Sequence, residues 1–203
     1  WRDWLGAAES ELDTLLKTYP RVRVVGFSMG GVIALNLAAR RREPAFDRVV
    51  TVSAPMAFQN RAILLAPVAW PVKRYVYWEK GLREGQLGMP YSAGYPGMPL
   101  RSVAHLQAMM RRTRRLLPDL SKPILVIQSL KDESVDLRSP QVILGRVASA
   151  YKEEVLLENS WHNCLTGTER QRAFDEIARF LSLDPDSLPT VPGGLSEAPI
   201  PAG

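Results

Sequence analysis

The fold of this 203-residue chain is decided by one stretch, Arg-Val-Arg-Val-Val-Gly-Phe-Ser-Met-Gly-Gly, residues 21–31. Its Val22, Val24 and Val25 form a short β-branched apolar run, which predicts a strand buried on both faces. Residues 31–40 are densely apolar and free of helix breakers, which predicts a helix packed on a sheet. The stretch therefore predicts a strand that turns sharply into a helix.

The predicted turn has the pattern Gly26-x-Ser28-x-Gly30. This is the pattern of a nucleophile elbow, in which a strand-to-helix turn presents a serine hydroxyl at the end of a sheet. A side chain at Gly26 or Gly30 is expected to collide with the closely spaced backbone of such a turn. The alternative is an ordinary tight turn. The strand before it and the helix after it favour the elbow, with Ser28 as the candidate nucleophile.

The composition fits one globular domain, with 46% hydrophobic and 23% charged residues. The net charge of +5 comes largely from arginines at 40–42 and 111–115. We interpret these clusters as solvated helix faces, because the sequence shows no nucleic-acid-binding module. Cys164 is the single cysteine, which excludes an internal disulfide and favours a cytoplasmic location. Cys164 lies close to His162, so a reactive thiol is an alternative, but we interpret it as a filler residue. No apolar run is long enough for stable membrane insertion.

Helices and strands are predicted to alternate along the chain, with helices at 4–16 and 140–150 and strands at 48–53, 123–128 and 154–158. This order predicts an α/β fold with a mostly parallel sheet flanked by helices. The last helix is predicted to begin with a capping box of Thr168 and Gln171. Its predicted buried stripe consists of Ala173, Phe174, Ile177, Ala178 and Leu181.

The alternation is interrupted between the second and third strands. Residues 56–120 are aromatic-rich at first, then rich in Gly and Pro, then helical at 100–117. An insertion of this length beside a catalytic loop predicts a helical cap over the site. The alternative is a helical excursion that only packs against the domain. The predicted organisation is core at 1–55, cap at 56–120, core at 121–183 and a flexible tail at 184–203.

A serine hydroxyl needs a base to become a nucleophile, and the usual base is a histidine. The chain offers only His105 and His162. His162 follows the last predicted strand, whereas His105 lies inside the insertion, where we interpret it as a packing or surface residue. His162 is therefore the candidate base.

The histidine in turn needs a carboxylate to orient it. The loop after the 123–128 strand contains Asp132, Glu133 and Asp136. Asp132 comes first and is the candidate, while Glu133 and Asp136 are interpreted as solvated or helix-capping groups. The order Ser28, Asp132, His162 places one residue after each of three strands, as in α/β-hydrolases.

The chain also resembles a known family. It is similar to the small α/β-hydrolases that comprise bacterial thermostable carboxylesterases and monoacylglycerol lipases, over residues 1–183. The residues that carry the resemblance are Gly26-Phe27-Ser28-Met29-Gly30-Gly31, Val52-Ser53-Ala54-Pro55-Met56, Pro123-Ile124-Leu125-Val126-Ile127-Gln128 with Asp132, and Asn159-Ser160-Trp161-His162.

The resemblance implies an enzyme with Ser28 as nucleophile, His162 as base, Asp132 as its partner and the backbone N–H of Met29 in the oxyanion hole. It implies no cofactor and no metal. The cap would form a pocket for the acyl group of the substrate. Trp161 stands where related enzymes often have Gly or Tyr.

The larger departure from the family lies at the front of the chain. Relatives carry upstream strands and a His-Gly-aromatic loop that supplies a second oxyanion donor, and neither occurs here. We therefore expect the chain to be an N-terminally truncated portion of an enzyme, with the 22–25 strand unpaired on one side.

The function favoured by the sequence is hydrolysis of small-molecule carboxylic esters with an apolar acyl group, through an acyl-enzyme intermediate. Thioesterase, lactonase or peptidase activity remains an alternative, because fold and triad do not fix the leaving group. A non-catalytic binding module remains an alternative for the chain as it stands. The sequence does not decide the oligomeric state.

Overall fold

The computed structural model describes residues 1–77 and 97–184. Trp78, most of the Gly- and Pro-rich stretch and residues 185–203 of the predicted flexible tail lie outside the described residues. The helices are α1 (Arg2–Thr18), α2 (Met29–Arg40), α3 (Ala66–Ala69), α4 (Leu100–Leu116), α5 (Ser139–Leu144) and α6 (Arg170–Ser182). The strands are β1 (Val22–Phe27), β2 (Phe46–Val52), β3 (Tyr75–Tyr77), β4 (Gly97–Pro99), β5 (Ile124–Ser129) and β6 (Lys152–Leu157).

A four-stranded parallel sheet with the order β1-β2-β5-β6 forms the centre of the structure. This confirms the predicted α/β class. Two strands begin two residues earlier than predicted, at Phe46 and Lys152. Helix α5 is shorter than the predicted 140–150 helix and ends at Leu144, directly before Gly145. The insertion also contains a short antiparallel pair, β3 with β4, that the sequence pattern did not predict.

Each face of the sheet packs against its own layer of helices. Side chains alternate along a strand, so Val49 joins the apolar cluster shared with α1, α2, α4 and α5, whereas Val50 joins the cluster shared with α6. Both valines are fully buried. The sheet is therefore the middle of three layers.

Strand β1 lies at the edge of this sheet and has one hydrogen-bonded neighbour, β2, in the part of the chain that the structure describes. As predicted, its other side carries no strand there. The prediction that this strand is buried on both faces is wrong for Val25, which is 43% exposed. Val25 pairs with the buried Val50, but α6 packs against β5, farther across the same face.

The last helix differs from its prediction in which side chains it buries. Phe180 and Ala173 are fully buried, whereas Phe174 is 47% exposed and Ala178 is exposed. Phe180 is held in place by the buried Arg48, which donates a 2.7 Å hydrogen bond to its carbonyl and lies over its ring. The helical stripe therefore turns toward Phe180, because a partner on β2 fixes that side of the helix.

The predicted capping box at the start of this helix is wrong. Helix α6 begins at Arg170 after the N-cap residue Glu169, and the hydroxyl of Thr168 donates to the carbonyl of Asn159. Gln171 donates to Asp175, one turn farther along. These side chains therefore do not cap the N-terminus of α6.

The insertion packs firmly on the core through α4. Asn36 of α2 donates a 3.1 Å hydrogen bond to Thr113 of α4, and both are fully buried. Met109 of α4 is also fully buried. The predicted cap role and the domain boundaries stay predictions. Among the described residues, no helix combines the length and the apolar character required to cross a membrane.

Candidate active site

Ser28 occupies the turn between β1 and α2 in a backbone conformation that residues other than glycine rarely adopt. Its φ is 51° and its ψ is −119°. A non-glycine residue at positive φ is strained and persists only where surrounding contacts hold it, as at many functional sites. The Ser28 N–H donates a 2.8 Å hydrogen bond to the carbonyl of Val52 at the end of β2. The turn thus has the local geometry expected of an elbow.

Two glycines make this turn possible, but they are not both the predicted ones. A Cβ on Gly26 would lie 2.3 Å from the carbonyl oxygen of Gly30, and one on Gly31 would lie 2.6 Å from the Cβ of Ala54. A Cβ on Gly30 would meet nothing within 4 Å. The expectation that Gly30 must lack a side chain is therefore wrong. Gly31 is the second tight position, because Ala54 in the loop after β2 approaches α2 there.

We expect Gly26→Ala to destabilise the fold by about 3 kcal/mol, because backbone atoms would have to move to admit the methyl group. Gly30→Ala is the matched control, and we expect it to be neutral or stabilising by up to about 1 kcal/mol, since Gly30 lies in a helix. Urea unfolding of both variants measures the difference. Equal stability of the two variants would contradict this account of the turn.

The structure brings the three predicted site residues together at the carboxyl ends of β1, β5 and β6. His162 Nε2 lies 3.0 Å from Ser28 Oγ. His162 Nδ1 lies 2.9 Å from Asp132 Oδ2 and 3.1 Å from Oδ1. The His162 ring also packs at a tilt against Phe27, with centroids 5.3 Å apart. A hydroxyl, an imidazole and a carboxylate are therefore hydrogen-bonded in series.

Asp132 is held as an acceptor for the histidine. It is 3% exposed, and its Oδ1 accepts 2.9 Å hydrogen bonds from the N–H groups of Ser134 and Val135. Gln128 donates a 2.9 Å hydrogen bond to its Oδ2, a contact the sequence did not reveal. Burial alone would raise the pKa of Asp132, but the hydrogen bonds from His162 and from the backbone lower it below its usual value. The carboxylate is therefore ionised at neutral pH.

The other two acidic residues of this loop have different partners. Glu133 is exposed, as predicted for a solvated group, and its Oε2 also accepts a 3.2 Å hydrogen bond from the backbone N–H of His162. Asp136 precedes α5 and accepts bonds from the backbone and guanidinium of Arg138. The Arg138 hydrogen bonds lower the pKa of Asp136 to about 2. Asp136 thus forms an ion pair just before α5, whereas the exposed Glu133 also contacts the histidine loop.

The lowered pKa of Asp136 predicts a pH dependence of stability. Since its folded pKa of about 2 is below the usual 3.8, its stabilisation is present above pH ~4 and is lost as pH falls through 2. We expect Asp136→Asn to cost up to about 1 kcal/mol at pH 7, the range of surface pairs. Urea unfolding from pH 7 to pH 2 measures the gap to the unsubstituted protein, which should shrink with acid. A gap of constant size would refute the assignment.

His105 and Cys164 lie in packed surroundings. The His105 ring on α4 is tilted against Trp4 of α1 with centroids 6.1 Å apart, and burial lowers its pKa. This agrees with its interpretation as a packing residue. Cys164 is fully buried, and burial raises the pKa of its thiol. The thiol is thus neutral at pH 7, as expected of a filler residue rather than a reactive one.

The remaining predicted site residue is Met29, the first residue of α2. The N–H groups in the first turn of a helix have no partner within the helix, so the N–H of Met29 is available beside the serine. Its role in an oxyanion hole stays a prediction. Within residues 1–77 and 97–184, no three His, Cys, Asp or Glu side chains are grouped as a metal site would require.

The chain matches the profile of one protein family and is similar to several known proteins. The profile described as "Alpha/beta hydrolase family" matches residues 1–180. A carboxylesterase of Bacillus subtilis (strain 168) is 22% identical over 163 residues, which cover 80% of this chain and 64% of that protein. A thermostable monoacylglycerol lipase of Bacillus sp. (strain H-257) is 25% identical over 163 residues, covering 80% and 63%. The chain therefore spans just under two thirds of the length of these relatives.

Solved structures show the same fold. One from a study of LipS and LipT, two metagenome-derived lipolytic enzymes, is 20% identical with a TM-score of 0.77, covering 89% of this chain and 72% of that one. The monoacylglycerol lipase of Paleococcus ferrophilus is 15% identical with a TM-score of 0.71, covering 89% and 74%. At these identities the structures establish the fold, and the resemblance stated from the sequence is confirmed at that level.

Proposed function

Because the chain belongs to the alpha/beta hydrolase family, we propose that Ser28, His162 and Asp132 form the catalytic triad of a serine hydrolase that cleaves carboxylic esters. The observation that carries this proposal is the hydrogen-bonded series from Ser28 Oγ through both nitrogens of His162 to Asp132. Strain at Ser28 and burial of Asp132 support it, since both are typical of an organised site.

In the proposed reaction Ser28 Oγ attacks the carbonyl carbon of the ester, and His162 Nε2 takes the hydroxyl proton. The tetrahedral intermediate then expels the alcohol, which receives that proton from His162. A water molecule attacks the resulting acyl-enzyme while His162 again serves as base. The carboxylic acid is released, and Ser28 regains its proton. Asp132 stays ionised throughout and stabilises the imidazolium.

The negative charge of the tetrahedral intermediate needs hydrogen-bond donors. We assign one of them to the N–H of Met29, because it follows the nucleophile directly at the start of α2. Removal of one such donor in a studied protease costs about 2.7–4 kcal/mol of transition-state stabilisation.

The proposed substrate class is small esters with an apolar acyl group. The similarity to a carboxylesterase and a monoacylglycerol lipase supports this class. The insertion, which we propose is a cap, supports it as well, because Leu64, Leu65 and Val68 expose 59%, 64% and 79% of their surface there. Hydrolysis rates of the whole protein on matched esters, thioesters, lactones and amides would rank these substrate classes. If the amide or the thioester were cleaved faster than its matched ester, the proposed ester substrate would be wrong.

A fluorophosphonate probe tests the nucleophile. It should add one probe mass to the whole, folded protein, and peptide mapping should place the adduct on Ser28. Protein unfolded in urea is the control and should not react, because labelling requires the assembled triad. Folded protein that shows no adduct, or an adduct on another serine, would refute the proposed mechanism.

A further inference from the structure

Ser53 shares an uncommon property with Ser28. These two are the only non-glycine residues at positive φ in the part of the chain that the structure describes, and the φ of Ser53 is 49°. Ser53 follows the last residue of β2 and is fully buried. Its N–H donates a 2.9 Å hydrogen bond to the carbonyl of Ile127. Ser53 thus lies at the carboxyl ends of the strands, as the candidate site does, and its hydrogen bonds explain why a serine occupies this buried, strained position.

The hydroxyl of Ser53 contacts the backbone of the candidate base, His162. Ser53 Oγ donates a 3.1 Å hydrogen bond to the backbone carbonyl of His162. The same carbonyl accepts a 3.0 Å hydrogen bond from the N–H of Cys164. In the preceding peptide unit, the N–H of His162 donates to Glu133 Oε2 at 3.2 Å. The backbone of His162 is thus held from both sides.

The loop before the histidine is anchored in the same manner. Ser129, the last residue of β5, donates its hydroxyl to the carbonyl of Ser160. Glu169 accepts from the backbone N–H of Asn159 and from the Ser160 hydroxyl. Two buried serines at neighbouring strand ends therefore fix the carbonyls of alternate residues, 160 and 162. Ser53 holds the residue whose ring must lie between Ser28 and Asp132.

We propose that Ser53 is a positioning residue whose hydroxyl fixes the backbone of His162, so that Nε2 stays within hydrogen-bond distance of Ser28 Oγ. This inference rests on the proposed function. The positive φ aims the side chain at the histidine loop. Glycine would adopt this φ without strain but has no hydroxyl, and alanine would keep the strain and lose the bond. Of glycine, alanine and serine, only serine provides the hydrogen bond to the carbonyl of His162 at this position.

Catalysis by a triad is sensitive to such a fixation, because a displacement of about 1 Å in the reacting groups can cost 10²-fold in rate. His162 serves as base in both acylation and deacylation. A displaced histidine should therefore slow both steps together, which lowers kcat and leaves KM nearly unchanged.

The test compares Ser53→Ala and Ser53→Gly in the whole protein. We expect each to lower kcat about tenfold or more for a soluble ester, with KM within about twofold. The rate constant for fluorophosphonate labelling of Ser28 should fall by the same factor. The glycine variant relieves the backbone strain, so it should fold at least as stably as the alanine variant and still lose activity.

Ser149→Ala is the matched control. Ser149 is also buried, and its hydroxyl donates to the backbone carbonyl of Tyr151. Tyr151 directly precedes β6, so this bond lies at the amino-terminal ends of the strands, away from the candidate site. Its loss should lower the unfolding temperature without changing kcat. Wild-type kcat in Ser53→Gly would overturn the inference, as would equal kcat losses in Ser149→Ala and Ser53→Ala. Activity that survives Ser28→Ala would instead refute the proposed function.

Discussion

Replacing Ser28 with alanine is expected to lower kcat/KM for a small ester by at least about 10⁴-fold. Removal of the nucleophile from a hydrolase triad costs on the order of 10⁶ in kcat, and the activity that remains comes from binding and from oxyanion donors. The fold should persist, because contacts around the turn hold the backbone of Ser28, whose N–H is bonded to Val52. Kinetic assays of the whole protein, with circular dichroism to confirm folding, measure the effect.

Ser182→Ala is the control for this prediction, since Ser182 lies at the end of α6, far along the chain from the turn, and its hydroxyl donates to the carbonyl of Ala178 one turn before it. Its kcat/KM should equal that of the unsubstituted protein. A Ser28→Ala variant that keeps a tenth or more of the activity would mean that another group is the nucleophile. Loss of the fluorophosphonate adduct in the same variant is a second, independent readout.

Asp132→Asn should lower kcat by about 10³–10⁴-fold with little change in KM. In the proposed triad the carboxylate accepts a hydrogen bond from the N–H at Nδ1 of His162, which leaves Nε2 free to accept the proton of Ser28. An asparagine amide can donate to Nδ1 and so favours the tautomer whose Nε2 already carries a proton. The two residues are nearly equal in size, so the loss should arise from the wrong tautomer rather than from unfolding.

The same loop provides the control for this substitution. Asp136→Asn removes a carboxylate four residues away that pairs with Arg138 and does not contact His162. Its kcat should be unchanged at pH 7. If Asp132→Asn retained more than a tenth of the activity, the orienting role would belong to another acceptor, and Glu133, which already binds the histidine backbone, would be tested next.

The parts of the fold that the sequence predicted correctly are those decided by local pattern. Apolar runs identified β1, β2, β5 and β6, and the carboxyl ends of parallel strands meet at one edge of a sheet. Ser28, Asp132 and His162 could therefore be grouped from their positions after three of those strands. The short distances between their side chains then follow from the topology.

The parts that it predicted wrongly depend on contacts between distant segments. Periodicity predicted Phe174 in the buried stripe and left out Phe180, which is buried against the sheet and bonded through its carbonyl to Arg48 on β2. The motif marks Gly30 as tight, but Ala54, which follows β2, makes Gly31 the crowded position. Residues with a similar dependence were missed in the site itself. Gln128, Glu133 and Ser53 acquire their roles only when the histidine loop lies beside the loops after β2 and β5.

The three members of the candidate triad have a consequence for how the chain folds. Ser28 and His162 are 134 positions apart, and their side chains meet only after β1, β2, β5 and β6 have assembled in order. Contacts of such high sequence separation form slowly, because the closure of long loops must precede them. During refolding, the reactivity of Ser28 toward an active-site probe should therefore report when the whole sheet is complete. Helix content, measured by circular dichroism, should be recovered earlier.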